Sequence, residues 1–440
     1  MYTIAKISAD TYWRFLRDYP EASYQQTPQW GAARSVQWKP ELVGWFDLED
    51  RLTAVAVLRY RRVPGIRRWL VYIPQGPLLN WSGPQVGQQL DALGAYLRPR
   101  GVFAIRITPT VSLRSWSAAA VKAGLEDSRY QHISELPGCV WNPSGSRLVQ
   151  TLRSAGWTKA AVDDSADASH PQFTFALPLA GATDETVLAG MTKAWRKNIR
   201  KAERAGVQVS LGSRDDISAM HRLYGETAQR NGFTPQPEEY FSAMWDTLGG
   251  DFPGRFWVHL ATHEGEVVAA SATAQVGGRA QGVFAATSTQ RSPLKPSNAL
   301  YWSIIRQAIA ARADLFDIGG VDDTVAEQDP AAGLVRFKAD MGASAHESVG
   351  AWDLPLRPGL YAVFTRLLPL YGRATDALRA LRASRSEWVR STGTRSTGTR
   401  SPEGHAVPSG AGPASEPPAG EPDPMGDRQG RAGLRGEGAA

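Results

Sequence analysis

The chain has 440 residues, 42% of them apolar and 21% charged, with a net charge of +6 and one cysteine, Cys139. That length and composition exclude a small module and a disulfide-stapled scaffold, and they fit two or three domains. The charge is modest for the size, so where it sits tells more than its sum.

The N-terminus MYTIAKISADTYWRF lacks the basic segment and apolar core of a signal peptide, and no run approaches the roughly 20 apolar residues of a membrane span. No Cys/His cluster has metal-ligand spacing. A cytoplasmic, metal-free protein is expected. LVGWFDLEDRLTAVAVLRY at 42–60 predicts a strand, an acidic turn and a second strand. RYRRVPGIRR at 59–68 sets five arginines around a Pro-Gly turn, which suits either anion binding or plain solubility. YIPQGPLLNW follows as a strand running into a loop, QVGQQLDALGAYL at 85–97 has helical spacing, and GVFAIRI from 101 is a buried strand.

MTKAWRKNIRKAERAGVQV at 191–209 predicts a helix with Lys193, Lys197, Arg200, Lys201 and Arg204 along one face. Trp195, Ile199 and Ala202 mark the packing face, and Gly206 supplies the stop. The stripe reads as a solvated face or as a site for a polyanion such as RNA. Helical patterns follow at 215–230 and 298–312, with Asp215 and Asn298 as expected N-caps, and FWVHLATHEGEVVAASATA at 256–274 is a second hairpin. ADLFDIGG from 313 is a buried strand, and a polar loop leads to GLVRFKADMG at 333–342, where Lys338 is a surface or a cleft lysine.

The buried strands at 101 and 313 begin 59 and 57 residues after the hairpins at 42 and 256, which points to a duplicated α/β unit. The first domain is expected over 1–165, completed by 346–390, and the second over 166–345. RPGLYAVFTRLLPLYGRATDALRALRASRSEW at 357–388 is basic and amphipathic. It suits an anionic membrane surface, or, as favoured here, packing on the protein's own sheet. From Ser391 the repeat STGTRSTGTR and a Gly/Pro/Ser/Glu-rich segment cannot bury enough apolar surface to order themselves, so 391–440 is expected to be a disordered tail.

No G-x-S-x-G, H-E-x-x-H or G-x-x-x-x-G-K-[ST] motif is present, which leaves cationic groups as candidates for stabilising an anionic transition state. Tandem α/β halves of this kind suit acetyl-CoA-dependent acyltransferases, which bind pyrophosphate on the N–H groups of a Gly-rich loop. The corresponding loop, TQRSPLKPSNAL at 289–300, has no glycine and two prolines, so acetyl-CoA is disfavoured as donor.

The stretches LFDIGGVDD at 315–323, GLVRFKADMG at 333–342 and VGAWDLPLRPGLY at 349–361 together resemble the C-terminal signature of the Fem family, the aminoacyl-tRNA-dependent peptidyltransferases that build peptidoglycan bridges. QQTPQWGAARSVQWKPELVG, YIPQGPLL, KAWRKNIRKAERAGVQV and LYGETAQRNGF fall in the family's order, and the resemblance covers about residues 10–375. It implies an α/β (α+β) fold of two tandem acetyltransferase-like (GNAT-like) domains, each with a mixed central sheet. It also implies a monomer needing no cofactor, with aminoacyl-tRNA as co-substrate and a UDP-linked or lipid-linked muropeptide as acceptor. Between Phe233 and Phe256 there is no room for the charged heptads of a coiled-coil arm, so the chain resembles the arm-less type.

Carried over by position, the family's Phe-Lys pair falls on Phe337 and Lys338, with the lysine stabilising the oxyanion. Trp30, Arg34, Arg230 and Phe284 become substrate-binding residues, the two arginines clamping the precursor's diphosphate. The basic stripe becomes the tRNA-binding face. Thr108, in RITPT, stands where many relatives carry an acid, so the acceptor of the amine's proton is open between water and a substrate group. FKADMG also departs from the more basic FKKGFG-like run of relatives, with Asp340 expected to lower the local positive potential. Two other readings share the fold: an amide-forming enzyme of secondary metabolism and a non-catalytic RNA- or membrane-binding relative. Truncation at Ser391 is expected to leave the melting temperature unchanged, as thermal unfolding of the two lengths would show.

Overall fold

The computed structural model describes residues 2–34, 38–63, 67–160, 171–232, 235–249 and 256–366. The expected tail, the Pro-Gly turn of the arginine cluster and the amphipathic segment beyond residue 366 lie outside them. The first strands are β1 (Thr3–Lys6), β2 (Lys39–Phe46), β3 (Leu52–Arg62), β4 (Trp69–Ile73) and β5 (Val102–Ile107). β6 (Ser112–Trp116), β7 (Val140–Trp141), β8 (Thr158–Lys159), β9 (Phe173–Pro178) and β10 (Gln208–Leu211) follow. The last are β11 (Phe256–His263), β12 (Glu266–Val276), β13 (Arg279–Thr287), β14 (Leu315–Val321), β15 (Ser344–Ser348) and β16 (Trp352–Pro355). The helices are α1 (Ala9–Arg17), α2 (Pro28–Ala33), α3 (Val86–Leu97), α4 (Ala118–Leu125), α5 (Pro143–Ser154) and α6 (Asp184–Gly190). They continue with α7 (Lys193–Arg204), α8 (Ile217–Asn231), α9 (Glu238–Met244), α10 (Pro296–Ala310) and α11 (Ala332–Asp340).

Two sheets carry the fold, one of seven strands in the order β1-β2-β3-β4-β5-β16-β8 and one of nine in the order β10-β11-β12-β13-β14-β9-β15-β6-β7. Their first five positions correspond. In each, four strands run antiparallel, and a helix, α3 or α10, then crosses over so that the fifth strand pairs parallel with the fourth. The duplication expected from the two hairpins is thus present strand for strand.

The chain does not divide between the sheets at residue 165. β6 and β7 leave the first half to join the nine-stranded sheet, where β6 pairs with β15 through Ala345 and Trp116. Trp116, Val121 and Leu125 consequently bury in the second core. β16 returns to pair with β5 of the seven-stranded sheet. Arg106 and Asp353 lock that return with two hydrogen bonds of 2.8 Å, and the Tyr361 hydroxyl donates to Asp353 at 2.7 Å. Phe364, in helical residues 358–366, packs on Phe103 with ring centres 5.5 Å apart, so this part of the amphipathic segment packs on its own sheet.

Alternation along β3 shows how the lobes are joined. Ala54, Ala56 and Leu58 face the first lobe's core, while Val55 and Val57 enter a core shared with Met220, Leu223, Phe241 and Val258 of the second half. Burial on both faces explains the near-continuous apolar run in the strand. Arg59 belongs to this buried stretch and donates to the Gln25 carbonyl at 2.9 Å, and Arg61 and Arg62 lie over the rings of Trp38 and Trp69. Three arginines of the expected loop cluster therefore stand on a strand.

The expected caps move as well. Ser213 starts a short turn at Arg214–Asp216 through a reciprocal bond with Asp216, which then caps α8, so Asp215 is not the cap. α10 starts before Asn298, at Pro296, because proline at the first helical position gives up an N–H that would have had no partner. Among the described residues the longest helices have 15 residues, and none is long and apolar enough to cross a membrane.

Asp353→Ala leaves the mostly covered Arg106 guanidinium without the buried carboxylate that holds it and is expected to cost about 3 kcal/mol. Arg51→Ala removes only exposed pairs with Asp47 and Glu49 and should leave stability nearly unchanged. Urea unfolding of both variants checks the contrast.

Candidate active site

β13 and β14 pair only from Arg279–Gln281 to Leu315–Asp317, and then they part. Each strand carries a bulge where they separate: Val283 has no partner on β12, and Ile318 has none on β9. Bulges bend strands, and here they open a cleft of about 430 Å³. Tyr224, Tyr240, Phe241 and Phe284 form an aromatic wall. Gln25, Gln75 and Thr110–Ser112 close the cleft from the first lobe, and Arg279, Asp317, Gly319, Gly320 and His346 make a polar floor.

Gly319 has φ +86°, which suits glycine, and a Cβ on Gly320 would lie 2.4 Å from the Pro171 side chain. This backbone brings two successive carbonyls onto Lys338, whose Nζ donates to Gly319 O at 2.8 Å and Gly320 O at 2.9 Å. Lys338 is 3% exposed. It is neither a surface lysine nor a residue of the cleft wall, because it lies on α11 and supports the floor from behind. Burial pushes its pKa down to about 8, with Asp317 acting the other way.

Asp317 holds the network together. Burial alone would raise its pKa, but the Arg279 guanidinium, bonded at 2.5 Å, with the Gly319 N–H at 2.9 Å and the charge of Lys338, brings it below the ordinary carboxylate value. His346 is held below its ordinary value by burial, and Asp317 and Arg279 act on it in opposite senses. Arg279 Nε is buried and has no partner among the described residues.

Phe337 is absent from the cleft wall. Its ring packs between Trp195 and Tyr301, with centres 5.5 and 5.4 Å away, and its carbonyl accepts from Trp195 Nε1 at 3.2 Å. The pair thus divides its work: Phe337 anchors α11 on α7 and α10, and Lys338 reaches the floor. Asp340 is half-buried near Lys122 and Arg336, and burial raises its carboxyl. Its backbone oxygen accepts from Thr192, which caps α7.

Phe284 lines the cleft, stacked edge-on against Phe241 at 4.7 Å. Trp30 is buried behind Tyr240, the two rings perpendicular at 5.3 Å, and the Arg34 guanidinium lies 5.2 Å from the centre of the Tyr240 ring. Arg230 is exposed and donates to Thr287 O at 3.1 Å and Thr289 Oγ1 at 2.6 Å. Neither arginine lines the cleft. Thr108 accepts from the Gln75 N–H at 2.6 Å and so positions a wall residue. Along α7, Trp195, Ile199 and Ala202 are buried, and all five residues of the basic stripe are exposed without an ion-pair partner among the described residues.

Sequence reasoning missed Asp317, Arg279 and His346. Asp317 left one signal, a carboxylate inside the apolar strand LFDIGG. The other two left none, since the pairing of β13 with β14 and of β15 with β9 brings them together.

The strand order, the parallel fourth and fifth strands of each sheet and the cleft at their splay define a tandem acetyltransferase-like protein. Residues 190–337 match the GNAT acetyltransferase domain. Residues 7–261, more than half of the chain, match the FemAB family, and the chain belongs to that family. It is 19% identical over 428 residues to the lipid II:glycine glycyltransferase of Staphylococcus saprophyticus, covering 82% of this chain and 94% of the relative. The Staphylococcus aureus enzyme of the same name is 18% identical over 433 residues, with the same coverage of each chain. Among solved structures, FemX superposes with a TM-score of 0.67 at 17% identity, covering 82% of this chain and 99% of FemX, which supports the fold.

Lys338 holds its proton up to about 8 in the fold and up to 10.5 as an unperturbed lysine. Between those values the unfolded chain binds more protons, so this group's contribution to stability rises with pH. From pH 7 to 10.5 the stability difference between the protein and Lys338→Met should move in favour of the protein by about 3 kcal/mol, measured by urea unfolding at fixed ionic strength.

Proposed function

We propose that this protein transfers an amino acid from aminoacyl-tRNA to the stem-peptide amine of a peptidoglycan precursor, forming an amide that extends an interpeptide bridge. The observation that carries this reading is the seating of the basic helix α7 directly against α11, the helix that bears Lys338, through Trp195 and Phe337. An RNA backbone on the exposed stripe of α7 would lie one helix away from the buried lysine that supports the cleft floor.

In this reading the donor ester enters the cleft and the acceptor amine attacks its carbonyl. The ammonium of Lys338, fixed behind the Gly319–Gly320 carbonyls, supplies positive potential to the oxyanion. Trp30, Arg34, Arg230 and Phe284 serve the acceptor, the arginines from outside the cleft wall, where a diphosphate stays partly solvated. The glycyl transfer named for the staphylococcal relatives supports glycine as donor and a lipid-linked acceptor, with alanine and serine as the other small donors. We read the chain as the arm-less type, acting as a monomer at the cytoplasmic face of the membrane without a cofactor.

Incubation with glycyl-, alanyl- or seryl-tRNA and either nucleotide-linked or lipid-linked pentapeptide is expected to add one residue to the peptide, read by mass spectrometry. Inactivity with every pair would refute the reading. Lys338→Ala should lower kcat about 10²–10³-fold, on the scale of a lost oxyanion donor. Replacing Lys197 and Lys201 by Gln should raise KM for charged tRNA and flatten its dependence on salt by about two charges, while KM for the peptide stays unchanged.

A further inference from the structure

The amine that attacks the ester must lose a proton, and Thr108 offers no carboxylate to take it. His346 is the one histidine among the described residues that lines the cleft. Alternation along β15 puts Ser344, His346 and Ser348 on one face and Ala345 on the other, where it buries in the second core. His346 and Ser348 line the cleft together with Gly319 and Gly320.

Its hydrogen bonds select the tautomer. Ser344 Oγ donates its one proton to the Ala176 carbonyl at 3.3 Å, an oxygen that can only accept. The 2.9 Å contact between Ser344 Oγ and His346 Nε2 is then donated by Nε2–H, and Nδ1 keeps its lone pair. Nδ1 has no partner among the described residues and is absent from the buried polar atoms that lack one, so it is accessible, on a ring that lines the cleft. The charged groups near the ring are Asp317 from β14 and Arg279 from β13, already paired with each other, and Lys338 of α11 lies beyond the Gly319–Gly320 carbonyls. β9 and β6 bring only neutral side chains, Thr174 and Ser115, to the flanking positions. Burial lowers the pKa of the ring, so it is neutral at physiological pH and ready to accept a proton.

We propose that His346, through Nδ1, is the general base of the transfer and then its general acid, a role that rests on the function proposed above. The neutral amine nitrogen forms a bond to the ester carbonyl carbon while Nδ1 takes a proton from that nitrogen. The tetrahedral intermediate collapses by breaking the carbon–oxygen bond to the ribose, and the departing oxygen recovers the proton from Nδ1. An ester and an amine become an amide and a hydroxyl, with the histidine restored.

The test compares the protein with His346→Gln over pH 5 to 7, below the titration of Lys338, using the charged tRNA and peptide pair that react. The acceptor amine contributes one proton to the slope of log kcat/KM against pH in both proteins. In the parent, the slope is expected to steepen from one to two below a midpoint under 6.5, whereas in His346→Gln it stays at one. kcat of the variant should fall about 100-fold or more, with both KM values and the melting temperature retained. An active parent whose His346→Gln variant keeps the second proton, or loses less than threefold in kcat, defeats the base alone. A parent inactive with every pair defeats the transfer reading and the base with it. Nitrogen-15 NMR of the labelled parent gives a reading independent of the variant's folding: a ring protonated on Nε2 at pH 7, titrating at the kinetic midpoint, supports the base. The opposite tautomer or a different midpoint overturns it.

Discussion

The ammonium of Lys338, withdrawn from water, sets the terms for everything around the cleft. A buried lysine needs acceptors, and two successive carbonyls supply them only where the backbone departs from a regular strand. The bulge at Ile318, the left-handed φ of Gly319 and the missing side chain at Gly320 together make that departure. Asp317 keeps the charge compensated and is itself held diagonally by Arg279, which stands opposite Leu315 on the short paired stretch of β13 and β14. The same distortion that satisfies the lysine therefore opens the cleft.

The second constraint is the core shared between the halves. Val55 and Val57 on one side and Met220, Leu223 and Phe241 on the other belong to one apolar cluster, so wall residues from both halves keep a fixed relation. The exchange of β6 into the second sheet and the return of β16 to the first reinforce this, since each half is completed by chain from elsewhere in the sequence. A cleft framed by Gln25 and Gln75 from one half and by Phe284 and His346 from the other depends on that rigidity. α7 joins the same frame, because the groups that hold it, Trp195 and the Thr192 cap, bind the helix that carries Lys338.

Local rules made much of this legible. The hairpins at 42–60 and 256–274 follow from alternation and acidic or Glu-Gly turns, and the two faces of α7 follow from helical spacing, because both are properties of a few consecutive residues. The caps of α8 and α10 lie one and three residues from Asp215 and Asn298, because Ser213 and Pro296 offer better starts. The arginine cluster at 59–68 was misleading, since charge on a strand buried from both sides looks the same in sequence as charge on a loop.

By itself the sequence determined the duplicated α/β plan, the amphipathic basic helix and the presence of a Phe-Lys pair within a family signature. Periodicity, turn chemistry and residue identity are recorded along the chain. Only the tertiary structure decided that Phe337 packs while Lys338 reaches the cleft floor, that β6 leaves its own half, and that Asp317, Arg279 and His346 meet. These depend on which strands pair and where pairing stops. That choice is settled by burying both faces of each sheet at once, which no local stretch encodes.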